Sequence, residues 1–170
     1  MSFDITRTGR AVLHVTDLDA SRKCYVGALG FVETESDENS MYLRGYEEQG
    51  HHSLLLKKAD KPAVEVISYK VYADSDLDKI EQVAIKNNLP YKWVEKGEQR
   101  AIGRALRVQD VSGLSLELFA EMDKVESLLQ RYDLHKGARV QRIDHLNCLV
   151  PDVQKAYDFY NKEFGFRCSE

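Results

Sequence analysis

Histidines, and one glutamate set in an apolar strand, are the residues of this chain that could do chemistry at a divalent metal. His145 lies near the start of a short apolar segment, HLNCLV, and at the corresponding place in an earlier copy of that segment stands Arg10. A neutral imidazole can give a lone pair to a metal, whereas a guanidinium stays protonated and offers only donors. If this is a ligand position, the earlier copy has lost it and the later one keeps it, although a lone histidine on a strand is more often structural than ligating. His51 and His52 are the conspicuous pair, yet adjacent strand residues point to opposite faces, so at most one should face inward. Bonds to neighbouring backbone account for both. Glu117, within GLSLELF, needs a partner such as Arg10 or a metal, and the ion pair is favoured because Arg10 already supplies charge. His14 and His135 have no supporting constellation, and no phosphate-cradling glycine loop is present.

The elements that position these residues repeat. Residues 9–35 and 144–170 align without a gap at an offset of 135, matching Val15 with Val150, Asp17 with Asp152, Tyr25 with Tyr160 and Gly30-Phe31 with Gly165-Phe166. Each copy opens with a short apolar strand, AVLHV or HLNCLV, and an aspartate then offers a helix N-cap: Asp17 or Asp19 in the first copy, Asp152 in the later one. Val153, Ala156, Tyr157 and Tyr160 recur at helical spacing, and glycines 30 and 165 sit where a left-handed cap ends each helix. FVETE, SMYLRGY and HHSLLLKK follow the first helix as strands. A more divergent unit begins after Lys61-Pro62, with strand VEVISYKVY, helix DLDKIEQVAIKNNL carrying Leu77, Ile80, Ala84 and Leu89, and strands KWVEKGE, RALRVQD and LSLELFA. The expected fold class is therefore α+β: repeated βαβββ modules, two of which pair into an incomplete barrel, plus the start of a third. Modules 1–61 and 62–122 make an N-terminal domain of residues 1–122. Residues 123–141 hold a connecting helix and linker, because Val125, Leu128, Leu129 and Tyr132 share helical spacing. Residues 142–170 are the first strand and helix of a domain that this chain does not finish. Phe159, Phe164 and Phe166 should then be exposed, seeking cover in another chain.

Composition narrows the function classes. With 43% hydrophobic and 31% charged residues the chain is neither disordered nor membrane-spanning. A net charge of −4 with interspersed signs offers no basic stripe for nucleic acid. The N-terminus lacks the apolar core of a signal peptide, so a cytoplasmic protein is expected. Cys24, Cys148 and Cys168 have no CxxC spacing and read as buried, reduced thiols.

The segments VTDLDASRKCYVGALGFVETESDENSMYLRG, EEQGHHSLLLKK, QRYDL and RIDHLNCLVPDV together resemble the extradiol ring-cleaving dioxygenases of the vicinal oxygen chelate superfamily, in particular catechol and homoprotocatechuate 2,3-dioxygenases. The resemblance implies four βαβββ modules in two domains, with a metal in the C-terminal domain held by two histidines and a glutamate. His145 matches the first of those histidines, and Asn147, two residues on, looks like a pocket residue near substrate and oxygen. The other two ligands would come from a fourth module. The implied parent is an Fe(II) enzyme, with Mn(II) as the alternative, that opens the ring of catechol or homoprotocatechuate with O2 and assembles as a homo-oligomer, a tetramer in the family. The chain by itself is expected to be inactive and to hold no metal at occupancy. A metal-free protein of the same superfamily that binds small aromatic ligands is the main competing reading. A glyoxalase-type lyase is disfavoured by Arg10, and a purely structural role for the N-terminal domain is a third reading.

Overall fold

The computed structural model describes residues 3–168. They form two compact units: Gly9–Ile67 with Met122–Asp144, and Ser68–Glu121 with the described residues before Gly9 and from His145 on. No described helix is long and apolar enough to cross a membrane.

The first unit is built on the first module. It contains most of β1 (Ile5–Val15), then α1 (Leu18–Arg22), β2 (Val32–Ser36), β3 (Ser40–Arg44) and β4 (Leu54–Lys58). Asp17 settles the helix start, because its Oδ1 accepts the amides of Asp19 and Ala20, both at 2.9 Å. α1 continues as a π-helical turn over Lys23–Ala28, and the chain reverses at Gly30, whose φ of 81° suits a residue without a Cβ. After the crossover the strands run β2-β3-β4-β1. β4 lies parallel to β1, from Ala11 opposite Leu54 to Val15 opposite Lys58, and the two hairpin pairings are antiparallel. Val12, Leu55 and Val66, the last from the start of β5 (Ala63–Val71), pack with Tyr42 as a core cluster.

In the second unit the end of β5 is followed by α2 (Ser75–Lys86), β6 (Tyr91–Val94), β7 (Ala105–Gln109) and β8 (Ser115–Phe119), with strand order β5-β8-β7-β6. α2 buries Leu77, Ile80 and Ala84 along one face, as their spacing predicts. The strand-helix-three-strand order thus occurs twice in an α+β chain.

The third copy reproduces the first at its helix. α3 (Val153–Lys162) is capped by Asp152 Oδ1, which accepts the Lys155 amide at 2.9 Å. Gly165 has a φ of 70°. The Phe166 amide donates to the Tyr160 carbonyl at 2.9 Å, just as the Phe31 amide donates to the Tyr25 carbonyl at 2.9 Å. Caps and terminators use only bonds within a few residues of one another, so the repeat carries them intact.

Four expectations are corrected. Residues 123–131 contain no helix. Residues 123–125 pair with the β3–β4 connection, the His51 amide donating to Asp123 O and the Val125 amide to Gln49 O, both at 2.9 Å. Of the helically spaced residues only Leu128 is fully buried, while Leu129 and Tyr132 are exposed. Backbone pairing to an available edge has displaced the weak local helix signal. Second, residues 142–151 form no strand. Their counterpart β1 draws its ladder from β4, and none of the described residues after α3 is a strand. Third, Phe159 and Phe164 are buried, not exposed. Phe164 packs edge-on against Phe3, and Phe166 against Tyr69, within the same unit, so the argument from bare phenylalanines to self-association loses its ground. α3 turns Ala156 and Phe159 inward and leaves Val153 and Tyr157 exposed. Fourth, all three cysteines are exposed, and none is in a disulfide.

Candidate functional site

His145 and Asn147 lie in irregular backbone before α3, and both are exposed. Among the described residues no group of three or more histidine, cysteine, aspartate or glutamate side chains is placed to hold a metal. One imidazole does not make a facial triad, so the donors this chain contributes do not by themselves fit a metal centre.

The tertiary structure does assemble a buried polar chain in the first unit. Arg10 Nη1 lies 2.9 Å from His52 Nε2, His52 Nδ1 lies 3.1 Å from His51 Nδ1, and His51 Nε2 lies 3.0 Å from Glu35 Oε2. Arg10, His51 and His52 are all buried, which corrects the expectation that at most one of the histidines faces inward. The alternation rule fails because Gly50 to Ser53 precede β4 and are not part of its ladder. A bulge in β2 between Glu33 and Glu35 immediately precedes the residue whose carboxylate receives His51.

The guanidinium of Arg10 carries only donors, and this sets the proton on every link. His52 Nε2 must accept, so His52 carries its proton on Nδ1 and donates to His51 Nδ1; His51 in turn carries its proton on Nε2 and donates to Glu35. Both rings are neutral in this arrangement. Burial first, then the charge of Arg10 and the neighbouring His51, push the His52 pKa down to about 2. Below its ordinary value of 6.5 the unfolded chain takes up a proton that the folded chain refuses until about pH 2. Stability should therefore fall with acidification across that window, by about 2 kcal/mol between pH 7 and pH 5 from His52 alone. Urea unfolding at the two pH values reads this, and the loss should shrink in His52→Gln. Equal stability at pH 7 and 5 would contradict the neutral relay.

Glu117 is fully buried in the second unit. It accepts from Arg107 Nε at 2.8 Å, Gln99 Nε2 at 2.9 Å and Ser68 Oγ at 3.2 Å. The carboxylate expected to need a cation thus has one in Arg107, directly opposite on β7, a partner the sequence reading did not single out. The signal was available: Arg107 occupies a strand paired with that of Glu117 and alternates with apolar Leu106 and Val108. His14 has a partner of its own, Glu65 Oε2 at 3.0 Å.

Comparison with known proteins identifies the chain's relatives. A family described as the catechol 2,3-dioxygenase-like N-terminal domain matches residues 64–123. Homoprotocatechuate 2,3-dioxygenase from Arthrobacter globiformis superimposes on 98% of the chain with a TM-score of 0.93 at 38% identity. The chain is related to the N-terminal part of the extradiol ring-cleaving dioxygenases. An extradiol ring-cleaving dioxygenase from B. fuscum covers the same 98% with a TM-score of 0.92, again at 38% identity, and the chain covers 46% of that protein. Among curated relatives, a metapyrocatechase of Pseudomonas sp. (strain CF600) is 26% identical across the whole of this chain, which spans 58% of the relative. A manganese-dependent 2,3-dihydroxybiphenyl 1,2-dioxygenase of Geobacillus genomosp. 3 is 22% identical and is spanned to 56%. The chain therefore covers about half the length of the proteins it matches.

Proposed function

We propose that the chain is the N-terminal portion of a metal-dependent extradiol dioxygenase that opens a catechol ring with O2. In this reading residues 1–122 form a two-module N-terminal domain and 142–170 begin the metal-binding half. His145 supplies the first metal ligand, Asn147 stands beside substrate and oxygen, and the remaining ligands come from residues outside this chain. The observation that carries the proposal is the match over 98% of the chain, at 38% identity, to homoprotocatechuate 2,3-dioxygenase. A relative of that kind has been solved in complex with 3,4-dihydroxyphenylacetate, so 3,4-dihydroxyphenylacetate and catechol are the substrates to try first. Fe(II) is the expected metal, with Mn(II) as the alternative, and a homo-oligomer the expected assembly. Residues 1–170 alone should turn over no catechol.

The test is to express the reading frame continued past Glu170, next to residues 1–170, and to measure bound metal, ring cleavage and native mass. Metal and ring cleavage in the longer protein, both lost in His145→Ala, are expected. A longer protein that binds metal equally well without His145, or that binds an aromatic ligand tightly without turnover or metal, would overturn the reading, the second result in favour of a binding protein.

A further inference from the structure

The β3–β4 connection grips the segment that leads to His145. On the side that precedes the candidate ligand, the Tyr46 amide donates to Val140 O at 3.1 Å and the Glu47 amide to Gln141 O at 3.0 Å. Arg142 Nη1 meets Glu47 Oε2 at 2.9 Å, and the Ile143 amide donates to Glu48 Oε1 at 3.2 Å. Farther back, Arg44 Nη1 donates to Glu126 O at 3.1 Å, and to Glu48 O at 2.6 Å within the turn itself. Glu48 is the hub, since its other carboxylate oxygen accepts the Gly45 amide at 2.6 Å and the Ser53 hydroxyl. One side chain thus ties the turn to β4 and to the segment at once.

Gly45 lets that segment come so near. A Cβ there would sit 2.2 Å from Gln141 O and 2.7 Å from Arg142 N, well inside any tolerated contact, and the obstacle is backbone rather than a movable side chain. Any residue other than glycine must push the chain away at the point where it runs toward Ile143.

We propose that Gly45 and Glu48 are positioning residues for the segment that leads into His145: they fix the backbone as far as Ile143, two residues before the ligand. The inference rests on His145 being a metal ligand. Ligand geometry is intolerant of displacement, and supports of this kind commonly change metal affinity by about 10- to 100-fold. Every bond of the anchor lies within the first unit, in which Arg10 stands at the position that corresponds to His145.

Gly45→Ala and Glu48→Ala test the anchor in residues 1–170 by amide exchange. Exchange at Ile143 should accelerate at least about tenfold in both variants while β7 and β8 keep their protection. Glu48→Gln, which keeps one acceptor oxygen, should restore part of it. In the longer protein the same two variants should weaken metal binding about tenfold, with Glu48→Gln in between. Unchanged exchange at Ile143 would overturn the anchor while leaving the dioxygenase reading intact. Faster exchange with undiminished metal affinity would overturn the positioning role. A wild-type longer protein without metal would overturn the dioxygenase reading and the ligand role with it, a result told apart by the exchange data.

Discussion

Arg107→Met is expected to destabilise the protein by about 3–5 kcal/mol, the cost of removing one partner from a buried ion pair. Glu117 has no exposed surface, and its Oε2 receives Arg107 Nε at 2.8 Å. Gln99 and Ser68 are neutral donors and offset only part of what the ionised carboxylate loses with Arg107. Arg107 is itself partly exposed, at 20% of its side chain, so the reverse deletion is gentler on the arginine. The double variant Arg107→Met with Glu117→Leu should regain most of the loss, because replacing both members of a buried pair by apolar groups is often close to neutral. Urea unfolding of the two single variants and the double variant reads the coupling. A loss below about 1 kcal/mol for Arg107→Met would mean that the pair behaves like a surface bridge.

Asp110→Ala is expected to cost about 2–4 kcal/mol and to loosen α3 before the strands. The buried carboxylate of Asp110 accepts the Ser112 and Leu114 amides through Oδ1, both at 2.8 Å, and the Tyr160 hydroxyl through Oδ2 at 2.7 Å. Alanine leaves all three donors without that acceptor, each a fraction of the desolvation penalty of an unsatisfied group. Burial, and then the hydrogen bond to Asp110, hold the Tyr160 phenol far above its ordinary pKa, so it remains a donor throughout the neutral and mildly alkaline range. Tyr160→Phe removes only the hydroxyl and leaves Asp110 its two amides, so about 1 kcal/mol is expected. Amide exchange along α3 separates the two effects: both variants should raise it, whereas only Asp110→Ala should loosen the β7–β8 turn. Equal losses in both variants would show that the Asx turn contributes little.

The sequence alone determined what depends on near neighbours. The offset of 135, the aspartate caps at 17 and 152, the left-handed glycines at 30 and 165, the strands on either side of the two complete helices and the inward face of α2 all follow from bonds or periodicities spanning a few residues. The roles proposed for His145 and Asn147 rest not on such bonds but on resemblance to a family. Tertiary structure alone decided where backbone without a local solution found its partners. Residues 123–126 took the β3–β4 connection as a pairing edge in preference to a helix, and 142–151 are irregular, with no counterpart to β4 among the described residues. The relay Arg10–His52–His51–Glu35 and the bonds of Arg107, Gln99 and Ser68 to Glu117 join residues from 10 to 49 positions apart, apart from the adjacent histidines. No periodicity encodes such bonds, because a buried polar group takes whichever partner the strand register brings within about 3 Å. The phenylalanines of α3 illustrate the same limit: the helix and its spacing were local properties, but the Phe3 and Tyr69 rings that cover them came from the far end of the sequence and from β5.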